Sequence, residues 1–221
     1  MLNFKKLPYK TVWVEYPDIE KLSKEIGVEP TMIRKDGRPL YTLPAIQDPN
    51  TNTAVSESYR IAEYLEKTYP NSPKLFPPDS QGLQAAFYEF HVDTISSVFP
   101  MWILKMVHGI LQQPSQAYFW RTKQEMYEKK WEEFDSGVEE QWESYKAAHS
   151  KLAACYDKNG GGHFIQGDGL TYADINIAGF FAWYRRSTDE ESEEWKKMLT
   201  WDNGKWARLM EALKPYESVD L

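Results

Sequence analysis

The chain has 221 residues, 42% of them hydrophobic, which is enough for one large domain or for a small and a larger one with a true core. Its net charge of -7 excludes the basic footprint that a nucleic-acid partner requires. The single cysteine, Cys155, excludes an intrachain disulfide, and no run of about 18 apolar residues offers a membrane span.

Leu2–Leu7 reads as the last turn of a helix, with Lys5 and Lys6 suited to its C-terminus and Pro8 as its stop. Met1-Leu2-Asn3-Phe4-Lys5-Lys6 lacks the apolar segment of a secretory leader, and with one cysteine in the chain the expected compartment is cytoplasmic. Tyr9–Tyr16 alternates, is rich in aromatic and β-branched residues and stops at Pro17, which predicts a strand. Asp18 is placed to cap a helix reaching Ile26, with Gly27 to end it. Residues 28–40 read as a loop whose turn is Lys35-Asp36-Gly37-Arg38-Pro39.

Tyr41–Ile46 and a short run near Ala54 read as two strands joined by Asp48-Pro49-Asn50-Thr51-Asn52. Pro44 lies inside the first of them and removes a ladder donor, so it marks an edge or a special bend. A helix from Ser58 to Tyr69 follows, with Ile61, Ala62, Leu65 and Tyr69 on its buried face. It opens on Ser56-Glu57-Ser58, where unpaired N–H groups can receive a carboxylate. Two readings fit this stretch: a tight turn with an ordinary cap, or a cradle for a small peptide-like anion.

The proline-rich run Asn71–Ser80 divides the chain into residues 1–70, a linker over 71–80, and a helices-only region over 81–221. Residues 81–112 carry helical spacing with a kink expected at Pro100, and residues 117–156 read as one long amphipathic face. Asn159-Gly160-Gly161-Gly162-His163 is a flexible turn without the Gly-Lys-Ser/Thr ending of a phosphate loop. Thr171 and Asp174 form a capping box, with Leu170 and Ile175 as its hydrophobic staple. Asp202 is expected to cap the last helix, which turns Trp206, Leu209, Met210 and Leu213 inward. The four histidines and the lone cysteine show no ligand spacing, so no metal site is expected, and no serine sits in a nucleophile elbow.

Leu43-Pro44, Glu57-Ser58, the helix Ser58–Tyr69 and the box Gly169-Leu170-Thr171-Tyr172-Ala173-Asp174 stand in an order that resembles the cytosolic glutathione transferases over nearly the whole chain. The wording of Trp13–Glu20 and Asp36–Pro44 further resembles a fungal class related to the bacterial β-etherases. The resemblance implies an α+β thioredoxin-like first domain followed by an all-α second domain. It also implies a cis peptide before Pro44, with the Leu43 backbone pairing the cysteinyl part of glutathione. Ser58 would hold the γ-glutamyl carboxylate and Glu57 would face the γ-glutamyl ammonium. Glutathione is then a co-substrate and no separate cofactor is expected, while a hydrophobic electrophile and a second copy of the chain are the remaining partners.

The same resemblance places a first strand, and the helix start bearing the thiolate-stabilising Ser, Cys or Tyr, ahead of Leu2. Residues 1–221 are accordingly expected to be a truncated form lacking that strand and most of the first helix, and no catalytic residue is assigned in them. The missing strand would lie between Tyr9–Tyr16 and Tyr41–Ile46, leaving unpaired groups that cost about 1–3 kcal/mol each where buried. Two functions follow: conjugation of glutathione to hydrophobic electrophiles, impaired here, or binding of hydrophobic small molecules without chemistry. For the second, Phe99, Met101, Trp102 and Phe119 are the expected pocket residues.

Overall fold

The structure is a computed structural model that describes residues 1–34 and 36–219. Lys35 of the expected turn and residues 220–221 of the expected helical region lie outside them. Roughly the first 70 residues form a thioredoxin-like arrangement with small sheets, and the larger remainder is helical.

Helix α1 (Leu2–Lys5) closes at Lys6, which adopts a left-handed conformation. The buried Lys5 ammonium donates to the Glu66 carboxylate at 2.6 Å and to the Pro73 carbonyl at 3.1 Å. Tyr9–Tyr16 does not form the expected strand. Its composition suits one, but strand structure requires a ladder, and no described strand ladders with it. Val12 and Trp13 are 69% and 77% exposed. The segment leans instead on the helical half, where the Tyr16 N–H donates to Ser115 Oγ at 2.8 Å and the Ser115 hydroxyl donates to Glu15.

A 3₁₀ turn over Tyr16–Asp18 leads into α2 (Ile19–Ile26), which ends at a left-handed Gly27 as expected. The segment read as a loop over 28–40 contains a small hairpin of β1 (Met32–Ile33) and β2 (Pro39–Leu40), registered Met32 to Leu40. Two residues per strand are too few to show a period of two. A second hairpin pairs β3 (Ala45–Asp48) with β4 (Thr53–Ser56), registered Ala45 to Ser56. The ladder starts at Ala45 rather than Tyr41 because Pro44, just before it, has no N–H to contribute. The Asp48 carboxylate accepts from the hydroxyls of Tyr64, at 2.6 Å, and Tyr69, at 2.5 Å, tying this hairpin to α3 (Ser58–Thr68). Ile61, Ala62 and Leu65 form the buried face of α3.

The segment between α3 and the next helix is wedged into the protein. Leu75 and Phe76 are buried, the Leu75 N–H donates to Glu66 at 2.8 Å, and the Leu75 carbonyl accepts from the Tyr172 N–H at 2.9 Å.

The helical half comprises α4 (Gln81–Ser96), α5 (Trp102–Ile110), α6 (Gln113–Tyr127), α7 (Val138–Tyr156), α8 (Tyr172–Thr188) and α9 (Glu193–Leu213). Around a buried Pro100 the chain breaks into two helices, beyond the expected kink. The face expected to run unbroken over 117–156 is interrupted by a 3₁₀ turn at Trp131–Asp135 and by Gly137 at φ 67°. Helix α9 is likewise broken at Trp201–Gly204. There the Asp202 carboxylate accepts from the Trp206 indole N–H at 2.9 Å instead of capping the backbone. Phe134, Tyr145, Leu152, Phe181, Tyr184 and Trp206 centre the core. The chain ends also meet, since the Asn3 amide donates to the carbonyls of Tyr216, at 2.9 Å, and Ser218, at 2.6 Å.

Candidate functional site

The peptide bond between Leu43 and Pro44 is cis. Leu43 is 45% exposed, and the Pro44 carbonyl accepts from the Glu57 N–H at 3.3 Å. That bond joins the proline bend to the start of α3. Glu57 holds φ at 77°, a conformation that costs energy in a residue with a Cβ and that gathers at ligand-binding turns. Ser56 steadies the strand end behind it, donating from Oγ to the Glu29 carbonyl at 2.9 Å.

The Glu57 carboxylate is the hub. Its Oε2 accepts from the backbone N–H groups of Tyr59, at 3.1 Å, and Arg60, at 3.3 Å. Its Oε1 accepts from the Ser58 hydroxyl, at 3.2 Å, and the Tyr88 hydroxyl, at 2.9 Å. Ser58 Oγ in turn accepts from the Tyr172 hydroxyl at 3.4 Å. The Ser58 backbone N–H has no acceptor among the described residues. Glu57 and Ser58 are thus together at one helix start, with Leu43 and Pro44 one hydrogen bond away.

Sequence reading missed two members of this constellation. Tyr88 comes from the middle of α4 and Tyr172 opens α8, so both reach the first domain from the second. They pack in a cluster with Tyr59 and Phe76, edge-on at 5.3 Å between ring centroids for Tyr59–Tyr172 and tilted at 5.9 Å for Tyr88–Tyr172. Nothing local marks Tyr88. Tyr172 has one clue, its place directly after the helix cap. Burial, and then the charge of Glu57, pushes the Tyr88 phenol up to about 12, and burial pushes Tyr172 up as well. Both remain hydrogen-bond donors at neutral pH.

At the capping box, the Asp174 carboxylate accepts from the Thr171 N–H at 2.9 Å and the Thr171 hydroxyl at 2.7 Å. It also accepts from the Ile165 N–H at 2.8 Å and the Tyr156 hydroxyl at 2.9 Å. Burial raises the Asp174 carboxyl above its usual range, and these bonds oppose that shift.

The four expected pocket residues share one hydrophobic core, Trp102 and Phe119 within it and Phe99 and Met101 packed against it. Phe99 packs on Trp183 at 5.9 Å and Trp102, 6% exposed, packs on Tyr184 at 6.1 Å. Phe119, 3% exposed, meets the Tyr16 ring edge-on at 5.4 Å, and the Met101 N–H donates to Gln141 at 2.7 Å. An open depression of about 640 Å³ lies elsewhere on α6, against Tyr118, Trp120 and Arg121. Among the described residues no group of three His, Cys, Asp or Glu side chains could hold a metal ion, and no helix is long and apolar enough to cross a membrane.

Comparison with known proteins bears on both halves. Residues 1–68 match the family model for the glutathione S-transferase N-terminal domain, and residues 82–216 match the model for the C-terminal domain. The glutathione S-transferase-like protein ustS of Aspergillus flavus is 30% identical over 227 residues, covering 96% of this chain and 79% of that protein. Among solved structures, glutathione transferase GSTFuA3 of Phanerochaete chrysosporium superposes with a TM-score of 0.92 at 42% identity, covering 100% of this chain and 88% of that one. The glutathione S-transferase CsGST63524 of Ceriporiopsis subvermispora, solved in complex with glutathione, gives 0.93 at 42% identity, covering 99% and 88%.

Proposed function

We propose that this chain, which belongs to the glutathione transferase family, binds glutathione along Leu43–Pro44 and at the start of α3. The observation that carries the reading is the hydrogen bond from the Glu57 N–H to the Pro44 carbonyl, which sets a proline bend with an exposed Leu43 beside a helix start whose Ser58 N–H has no acceptor among the described residues. A cysteinyl backbone would pair with Leu43 as one more strand rung. The γ-glutamyl carboxylate would meet the Ser58 N–H and hydroxyl, and the ammonium would meet Glu57.

The reaction is addition of the glutathione sulfur to a hydrophobic electrophile. The thiol gives its proton to solvent, the thiolate forms the new carbon–sulfur bond, and any leaving group departs with the electron pair of the bond it breaks. No residue among 1–221 is assigned the role of stabilising that thiolate. A cytoplasmic location and a homodimer complete the reading, with Leu83 and Phe90 of α4 supplying exposed apolar surface for a second copy.

Titration calorimetry of residues 1–221 with glutathione tests the reading. Saturable binding is expected, weakened about tenfold or more by Ser58→Ala through loss of a hydrogen bond to a charged group. A wild-type chain that folds but shows no binding would sink it. The alternative, a hydrophobic-ligand protein without chemistry, predicts saturable uptake of a fluorescent apolar probe that glutathione neither helps nor hinders, together with no conjugate formed.

A further inference from the structure

The Glu57 carboxylate has no acceptor capacity left. An ionised carboxylate offers about four acceptor sites. Two are taken by the N–H groups of Tyr59 and Arg60, one by the Tyr88 hydroxyl and one by the Ser58 hydroxyl. An incoming ammonium therefore finds no open lone pair on Glu57 unless a donor leaves.

The four donors differ in their freedom to leave. The two N–H groups are fixed in the first turn of α3. The Tyr88 ring is held in the cluster with Tyr59 and Tyr172, and its bond to Oε1 is the shortest of the four. Ser58 alone can turn about a single side-chain bond, and its hydroxyl carries one proton, which can be given to one acceptor at a time.

We propose that Ser58 is a donor switch that makes recognition of the two charges of an α-amino-acid head group cooperative. Without ligand, Ser58 gives its proton to Glu57 Oε1 and fills the fourth site. A ligand carboxylate at the helix start draws that proton to itself, and the freed lone pair on Oε1 accepts the ligand ammonium. Tyr88 is the positioning residue, holding Oε1 so that the vacated site stays aimed at the ligand. The inference rests on the glutathione reading of this site. It adds that the carboxylate opens the place the ammonium takes, and that the second domain, through Tyr88, sets the preference for a zwitterion.

Four ligands test it by calorimetry with the full chain: glutathione, glutaryl-Cys-Gly without the ammonium, 4-aminobutyryl-Cys-Gly without the carboxylate, and butyryl-Cys-Gly without either. Together they give a coupling factor between the two charges. Attraction between charges within the ligand is the same for every protein, so it cancels when variants are compared. A variant that weakens all four equally leaves the factor unchanged.

In Ser58→Ala the factor is expected to fall about tenfold relative to wild type. The same variant should bind 4-aminobutyryl-Cys-Gly more tightly than wild type does, because its Glu57 site stands open. Ser58→Thr keeps the donor and should restore the coupling. Tyr88→Phe keeps the ring but also vacates a site on Oε1, so it should lower the coupling factor as Ser58→Ala does. Equal coupling in wild type and Ser58→Ala, or weaker binding of 4-aminobutyryl-Cys-Gly by Ser58→Ala, overturns the switch and leaves the glutathione site standing. Failure of folded wild type to bind any of the four overturns both.

Discussion

The Lys5 ammonium and the Glu66 carboxylate meet 2.6 Å apart, with the lysine side chain fully buried and the glutamate side chain 15% exposed. The same carboxylate oxygen accepts the Leu75 N–H, so one ion pair ties α1, α3 and the segment between the domains. Lys5→Met leaves Glu66 without its counter-charge. Removing one partner of a buried pair is expected to cost about 3 kcal/mol. Urea unfolding followed by tryptophan fluorescence checks this. A cost below about 1 kcal/mol, the range of exposed pairs, would show that the pair is solvated.

Asp174 gathers four donors onto one buried carboxylate. Asp174→Ala strands all four, and with a cost of about 1–3 kcal/mol for each buried donor left unmatched the helical half should lose most of its stability. Asp174→Asn keeps an acceptor oxygen and should retain a cooperative melt at lower temperature. Circular dichroism melts of the two variants give the ranking, and equal melts would assign the stability to the staple instead.

Buried His149 donates from Nδ1 to the Tyr145 carbonyl at 2.9 Å amid Tyr145, Phe181, Trp201 and Trp206. Burial lowers its imidazole to about 4 from an ordinary value of 6.5. Between these values the unfolded chain binds a proton that the folded chain refuses. The stability this group contributes is therefore complete above pH 6.5 and is lost as pH falls toward 4, by about 1.4 kcal/mol per unit. His91 is lowered by burial too and acts in the same direction. The slope difference between wild type and His149→Gln isolates His149. Identical slopes in urea unfolding from pH 7.5 to 5 would mean the ring titrates freely in the folded state.

The first domain shows apolar side chains to solvent at Val12, Trp13, Met32 and Ile33. Exposed apolar side chains beside short hairpins invite association between copies. Trp13→Lys should lower concentration-dependent light scattering at 37 °C while changing stability by less than about 0.5 kcal/mol, as surface substitutions do. Trypsin should cut after Lys10 before it opens the helical half. Unchanged scattering would shift the cause of association to another surface.

Elements with strong local signals were legible in the sequence. Gly27 ended α2, the apolar spacing of Ile61, Ala62 and Leu65 marked the inner face of α3, and Thr171 with Asp174 marked the start of α8. Tyr9–Tyr16 misled because composition reports fitness for a strand, whereas being one depends on a neighbour. The break between α6 and α7 was hidden because Tyr127, Trp131 and Phe134 keep helical spacing through a 3₁₀ turn that also buries aromatic rings. At the candidate site Glu57 and Ser58 adjoin in sequence and could be read together. Tyr88 lies 31 residues from Glu57, and only tertiary packing brings its hydroxyl there.

Asn3 grips the carbonyls of Tyr216 and Ser218, 213 and 215 residues away, and the Tyr9 hydroxyl donates to the same Ser218 carbonyl. Contacts this remote in sequence carry a large loop-closure entropy and form late. During synthesis Asn3 can consequently be clasped only after residues 216–218 have been made. Until then the hairpins of the first domain depend on α3 and on the chain around Leu75. Translation order and assembly order run in opposite directions at this clasp, so chaperone capture should be heaviest on nascent chains that have completed α8 and have yet to release residue 218.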